Sequence, residues 1–471
     1  MPVFAQPQTS SLWGVNGEKW DKTRIADYTN AGYRKGREPI PAFPVSVNIK
    51  TLGAKGDGVS DDRPFIQKAI RQCAPNGTVF LPKGIYVLND SLQIGKSGIC
   101  LRGESRDGTV LFFKRGLEEL YPKYNGSQSS WSWEGAMLLF TGNISEVGIE
   151  NLTVRFPDSI YVGHNWHERG YNGIGFAAGV KDAWLRNITL LNADLGIYLR
   201  DAQQVSCLNF KLAFLGVRET QTIPTGGEKG QSVSGHHGVN CYASYNLFHN
   251  FEFTRNYFHH LSVEPPAAPG RASYNVFSQG KLPDARFDHH TSSLRRTDHN
   301  LWTDIDAGEG SDIYNSSGAT APPRVFLNET FWNIQGKKST GSDPDVSSEN
   351  NNFIAVGREN LRTAPPLGKN PFVERIPNDA ISPRNLYWAQ MKLLHGIDPS
   401  IVDSLSVTAL AHRKPDRGGE RGYYRYTLFR DRSPLILKHP DDIEKRTEAF
   451  DLTGRLRTLV VPVLAPVLAP E

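Results

Sequence analysis

Cysteine is scarce in this chain, with four in 471 residues, at positions 73, 100, 207 and 241, and no C-x-x-C pair among them. Such spacing argues against a disulfide framework and a zinc ribbon, and makes buried free thiols the expected state. Long hydrophobic runs are also missing. No stretch approaches the roughly 20 apolar residues that cross a bilayer, and the C-terminal TLVVPVLAPVLAP is short and broken by prolines. Charge of one sign is lacking too. Lys and Arg number 53 against 49 Asp and Glu, a net +4, too little to argue for a nucleic-acid partner but no obstacle to an acidic polymer. The opening MPVFAQPQ has no charged n-region and no apolar run. VFAQ reads as the remnant of a small-x-Ala cleavage site, so a secreted or periplasmic protein is expected.

What is abundant is turn formers, 44 Gly and 30 Pro, beside 38% hydrophobic residues, the composition of a turn-rich globular protein. Length alone would suggest two or three domains, but a repeat fold holds a long chain in one. Residues 1–45 place Trp13, Trp20, Tyr28 and Tyr33 among polar residues and prolines and read as an extended arm. The segment VNIKTLGAKGDGVSDDRPFIQKAIRQCAPNGTVFLPKGIYVL then predicts a strand over 47–51 and a glycine-rich turn at Gly53–Gly58. A helix follows, capped by Asp61 or Asp62, with Phe65, Ile66, Ala69, Ile70 and Cys73 on one stripe. Residues 46–360 read as the body. Within 361–471, SPRNLYWAQMKLLHG predicts a helix with Leu386, Met391 and Leu394 available to cover an open sheet edge, and 410–471 reads as an extended or partly disordered basic tail.

The run GAKGDGVSDD, the helix and GTVFLPKGIY together resemble the N-terminal segment of the pectate-lyase-like superfamily, over about residues 47–115. The resemblance implies an all-β, right-handed parallel β-helix with an N-terminal capping helix, and a polysaccharide or oligosaccharide as substrate. Polygalacturonases of that superfamily place N-T-D and D-D motifs before G-H-G and a later R-I-K. Here SGHHG (Ser234 to Gly238) is a loose echo of the histidine motif, TDID follows it, and no R-I-K occurs. Their catalytic residues therefore do not transfer.

The repeat is legible without the resemblance. Asparagines precede apolar strands at 151, 187, 209, 250, 275, 300, 328 and 352, which by subtraction are 36, 22, 41, 25, 25, 28 and 24 residues apart. Most of these spacings fit one coil of a solenoid, and the long ones imply insertions around 157–180 and 216–240. Asparagine suits a coil corner because it tolerates left-handed φ and can bond its counterpart on the next coil.

Placing Asn250, Asn275, Asn300 and Glu329 at one position registers the late coils. With unbroken alternation, positions two, four and six residues on leave the outer face. They form an aromatic row of Phe277, Trp302 and Phe331 headed by Glu252, a row of Thr254, Gln279, Asp304 and Asn333, and a row of Asn256, Lys281, Asp306 and Gln335. These predict a cleft over residues 250–336 in which Phe277, Trp302 and Phe331 stack on sugar rings while Gln279, Asn333 and Gln335 hydrogen-bond them. Eight of the 13 histidines, at 236, 237, 249, 259, 260, 289, 290 and 299, crowd the same stretch. Beside alternating carboxylates, such a cluster points to function. Arg295, Arg296, His237 and Glu264 join the candidate substrate-binding set.

Asp304 and Asp306, on one strand, predict glycoside hydrolysis by paired carboxylates with no cofactor required. Mutual repulsion in a partly dry cleft raises one pKa, and Lys281 beside Asp306 keeps that partner ionised and leaves Asp304 as the acid. His259 and His290 complete the catalytic candidates, and Glu309 or Glu264 can replace either carboxylate. The alternative is β-elimination of a uronic-acid polymer, or its C5-epimerisation. Lys281, Arg295, Arg296 or a histidine would then be the base, and Asp304, Asp306 and Glu309 would hold Ca²⁺. Zinc is disfavoured, since no helix-spaced histidine pair occurs. A non-catalytic carbohydrate-binding β-helix is the third reading, against which the titratable cluster argues. Oligomeric state stays open.

Overall fold

The computed structural model describes residues 6–121, 135–159, 169–216, 233–265, 270–289, 291, 295–310, 312–315, 326–337, 348–356 and 369–397, with four short strands after 426. It divides into two units, Met1–Asp398 and Pro399–Glu471. In the second unit, Thr427–Arg430 pairs antiparallel with Ser433–Ile436, and Glu448–Phe450 with Leu456–Thr458.

That unit is a parallel β-helix. Each coil contributes one strand to each of two large sheets, so sequence-distant strands become neighbours and every ladder is parallel. The first sheet passes from Val45–Asn48 through Ser145–Arg155, Lys181–Leu191, Gln203–Ala213, Leu247–Phe253, Val276–Lys281, Leu301–Asp306 and Thr330–Gln335 to Asn352–Val356 and Phe372–Glu374. The second includes Asn172–Phe176, Leu195–Arg200, Gly235–Tyr242, Tyr257–Val263 and Arg286–His289. A third, short sheet joins Gly270–Ser273, Arg295–Asp298 and Phe326–Leu327. One apolar core fills the space between the large sheets. All four cysteines are buried and free, as their spacing implies, and among the described residues no helix is long and apolar enough to cross a membrane.

The helix Arg63–Gln72 forms where the apolar stripe places it and sends Ile66, Ala69 and Ile70 into the core of the first coils. Asp62 stands at its N-cap position but does not cap it. The carboxylate instead accepts the amides of Lys55 and Gly56 at 2.6 and 2.8 Å, closing the glycine-rich turn.

The asparagines of the sequence repeat belong to different ladders. Asn151, Asn187, Asn209 and Asn250 occupy a corner inside the first-sheet strands with φ between 50° and 57°, and Asn187 Nδ2 donates to Asn151 Oδ1 at 2.8 Å. The later members of this corner row, set by the pairing of their neighbours, are Gln279, Asp304, Asn333 and Ala355, also with positive φ. Asn246, Asn275 and Asn300 form a second, buried ladder four residues earlier in the coil, linked by Nδ2 to Oδ1 bonds of 3.2 and 3.0 Å. Asn300 continues it by donating to Glu329 Oε1 at 2.7 Å. The alignment of Asn275, Asn300 and Glu329 is thus correct, while Asn250 belongs four residues away and Glu252 pairs with Lys281.

This corner overturns the expected aromatic strip. Phe277, Trp302 and Phe331 point inward, fully buried, and with Phe248 and Phe353 make a stack whose successive ring centroids lie 4.8, 4.2, 6.0 and 5.3 Å apart. A left-handed residue turns the chain and resets the alternation. Before it Trp302 is inside and Thr303 outside; after it Ile305 is inside and Asp306 exposed. Unbroken alternation cannot place Trp302 and Asp306 on opposite sides, so the sequence reading put both outside.

The outer face of the first sheet is roofed. The arm crosses it, with Tyr28 Oη donating to Thr330 Oγ1 at 2.9 Å and Tyr33 N to Ser206 Oγ at 2.8 Å. The helix Leu386–His395 lies beside the arm. Its Gln390 accepts the Tyr28 amide at 2.9 Å, and Leu386 N donates to Thr303 Oγ1 at 3.0 Å.

Candidate functional site on the second sheet

Asp304 and Asp306 do not form a facing pair. Asp304 sits at the corner, where its Oδ1 accepts Asn333 Nδ2 at 3.0 Å and meets the Arg384 guanidinium at 3.5 Å. Burial pushes its carboxyl above the usual range, against the pull of Arg384 and Asn333. The direction is the expected one, but the cause is desolvation and not a second carboxylate. Asp306 is exposed, accepts the Gly308 amide at 3.1 Å, and has Lys281 directly across the ladder, as predicted. Glu309 pairs with Lys337 at 2.7 Å, so the three carboxylates assigned to calcium are each bound to different protein donors. Of the expected hydrogen-bonding row, Gln279 is exposed, Gln335 half-buried, and Asn333 buried between Asp304 and the carbonyl of Arg384. Arg295 and Arg296 lie on the short third sheet, Arg296 exposed. His290 lies outside the described residues.

The histidine group divides among several environments. His249 is buried on the first sheet, its Nδ1 3.1 Å from Ser278 Oγ and its ring edge-on to Trp388, and burial lowers its pKa to about 4. His289 stacks on Phe326 in the interior at 4.3 Å, and His299 on Tyr274 at a corner at 5.2 Å. His260 packs edge-on against Phe253, inside, with its pKa lowered to about 3 by burial.

His236, His237 and His259 come together. His237 and His259 are register partners on adjacent strands of the second sheet. Ring centroids lie 4.1 Å apart for His236 and His237, and 4.6 Å for His237 and His259. Asp288 Oδ2 is 2.6 Å from His259 Nδ1, and Ser262 Oγ is 3.0 Å from His237 Nδ1. Ser262 and Asp288 are themselves register partners, flanked on their strands by the core residues Leu261, Val263 and Phe287, so they leave the outer face, and the imidazoles bonded to them share it. Gly238 fixes the local path: a Cβ there would lie 2.0 Å from the Phe253 ring and 2.6 Å from the His260 carbonyl oxygen, so the strand presses against the core at this point. The cluster is buried, His259 retaining the largest exposure at 8%. Glu264, next after Val263, is also buried.

Two of the predicted residues, His237 and His259, thus lie on one strand pair of the second sheet, with Glu264 directly after it, away from the first-sheet strand that carries Asp304. His236, Ser262 and Asp288 complete the group and were missing from the candidate set. The signal was present: His237 and His259 are 22 residues apart, one coil. The SGHHG echo, set aside because its neighbours do not match, lies at the strand that carries the cluster.

Comparison with known proteins bears out the N-terminal resemblance. Residues 46–155 match the family described as "Rhamnogalacturonase A/epimerase, pectate lyase-like". "Mannuronan C5-epimerase AlgE1" of Azotobacter vinelandii is 42% identical over 76 residues, covering 14% of this chain and 5% of that protein. "Alginate lyase 7" of the same organism is 30% identical over 150 residues, 30% of this chain and 17% of the other. The chain therefore spans a small part of these curated relatives. Among solved structures, a hyperthermoactive exopolygalacturonase from Thermotoga maritima is 13% identical with a TM-score of 0.45, over 67% of this chain and 86% of that one.

Proposed function

We propose that this chain acts on a uronic-acid polysaccharide by removing the proton at C5, ending in β-elimination or epimerisation. The observation that carries the reading is the packing of His236, His237 and His259 with Asp288 on the outer face of the second sheet, where a carboxylate and imidazoles converge. Such a reaction needs positive charge against the substrate carboxylate as the enolate develops, and a base for the C5 proton. The imidazole cluster is assigned the first role, through its ring N–H groups or through a cation that it holds. Glu264, buried and directly after the strand that carries His259 and Ser262, is assigned the second. In elimination the C4–O bond then breaks and its oxygen leaves with a proton; in epimerisation a proton returns to the opposite face of C5. The names of two relatives, a mannuronan C5-epimerase and an alginate lyase, favour the same substrate class. Hydrolysis at Asp304 and Asp306 has less support, because the two do not face one another: Asp304 turns to Asn333 at the corner and Asp306 is exposed.

The test is digestion of a panel of uronate-containing and neutral polysaccharides in deuterium oxide. Ultraviolet absorbance of an unsaturated product, or deuterium entering at C5 without chain cleavage, supports the proposal and tells elimination from epimerisation. New reducing ends with neither signal would return the assignment to hydrolysis.

A further inference from the structure

We propose that His236, His237 and His259 form a binding site for a divalent transition-metal ion of the zinc class. Each residue offers one ring nitrogen, and these three atoms lie within 4.8 Å of one another, the separation that a small ion bound at about 2.0–2.1 Å to each would bridge after modest closing. The convergence is unusual for the fold. His236 and His237 are consecutive on one strand, where side chains ordinarily take opposite faces, yet their ring centroids are 4.1 Å apart.

A second feature separates this group from a chance encounter. Asp288 engages Nδ1 of His259, and Ser262 engages Nδ1 of His237. With Nδ1 engaged on His237 and His259, Nε2 is the nitrogen a metal would take on those two rings, the arrangement in which an outer carboxylate or hydroxyl fixes the tautomer of a metal-bound histidine. The donor set also names the ion. Three neutral imidazoles suit zinc, cobalt, nickel or copper and not calcium, which takes oxygen, so the site differs in place and chemistry from the carboxylate site read in the sequence. Three protein ligands leave one tetrahedral position for a substrate oxygen. The catalytic consequence rests on the function proposed above, with the ion as the positive charge facing the uronate carboxylate, whereas binding itself does not depend on that reading.

The test uses the full chain, stripped with a chelator, titrated with Zn²⁺ by calorimetry and with Co²⁺ by visible absorption. One ion per chain is expected, with the intense cobalt bands of a four-coordinate site. His237→Ala and His259→Ala should each abolish saturation at concentrations that fill the wild type, Asp288→Asn should weaken binding about 10- to 100-fold, and His299→Ala should leave it unchanged. Circular dichroism and melting curves accompany each variant, and His237→Gln and His259→Gln replace any alanine variant that does not fold. Absence of saturable Zn²⁺ or Co²⁺ binding by the wild type, or stoichiometric binding that survives both replacements, overturns the site. Proton exchange or elimination that continues undiminished in the stripped protein, with no binding, overturns the metal and leaves the proposed function. Stoichiometric binding without action on any polysaccharide does the reverse.

Discussion

On the first sheet, the outward row of His249, Ser278, Thr303 and Trp332 meets the chain's own Asn385, Leu386, Trp388 and Pro383. On the second, the outward row of Ser262 and Asp288 meets imidazoles. Both are faces of one solenoid with similar coil lengths, yet one is consumed by packing and the other gathers titratable groups. A parallel β-helix offers several faces of equal standing, and the segments outside the repeat decide which are covered. Here the arm and the 386–395 helix lock together through Tyr28 and Gln390 over the first sheet.

The contrast can be broken by mutation. His259→Ala should reduce product formation about 100-fold or more, read as unsaturated-product absorbance or deuterium exchange; unchanged turnover would remove the second sheet from consideration. Trp302→Ala should cost about 3–5 kcal/mol of stability in urea unfolding, because it opens the aromatic stack. If Trp302 were a sugar platform, substrate binding would fall while stability held.

Smaller effects test the ladders. Glu329 takes an asparagine's place between Asn300 and Asn351 and accepts Asn300 Nδ2 at 2.7 Å and Trp302 Nε1 at 2.9 Å. Glu329→Ala should cost about 1–3 kcal/mol by leaving those donors buried without their acceptors. At the corner, Asn187 has φ 54°. Asn187→Ala should cost about 1–2 kcal/mol, and Asn187→Gly should recover most of the backbone part, since glycine adopts that conformation without strain.

The two first-sheet aspartates should then behave differently from each other. Burial raises the Asp304 carboxyl, so its contribution favours the folded state below the unfolded carboxyl range and is lost as pH rises through the raised folded value. Asp304→Asn keeps an oxygen for Asn333, so the variant should be slightly more stable than the parent at neutral pH, with the gain disappearing in acid. Guanidinium titrations at two pH values would show it, and a variant less stable at neutral pH would contradict it. Asp306→Asn, on an exposed row, should change stability by less than about 0.5 kcal/mol and leave turnover unaltered; a large loss of activity would restore the carboxylate pair.

Much of the architecture could be read from particular residues. Asparagines one coil apart announced the solenoid, and the apolar stripe from Phe65 to Cys73 after GAKGDGVSDD placed the first helix. The Asn275, Asn300 and Glu329 register and the Lys281 to Asp306 pairing were also legible, because parallel coils keep register once one rung is set. The candidate site was less so. Parity within a strand is lost at a left-handed corner, and residue type does not mark that corner in the late coils, where glutamine, aspartate and alanine stand in for asparagine. One unseen corner turned an internal stack of Phe277, Trp302 and Phe331 into an apparent sugar-binding strip.

The sequence by itself determined the repeat, the polar corners, the free thiols and the crowding of histidine between residues 236 and 299, since each is a matter of composition or spacing along one chain. Only the tertiary structure decided which histidines meet. His249 and His260 are as close in sequence to the cluster as its members are to one another, and His289 and His299 follow within the next coils, but imidazoles separate or converge according to the face their coil gives them. That face is set by corner dihedrals, by the lack of space for a Cβ at Gly238, and by the carboxylate of Asp288 arriving from the next coil.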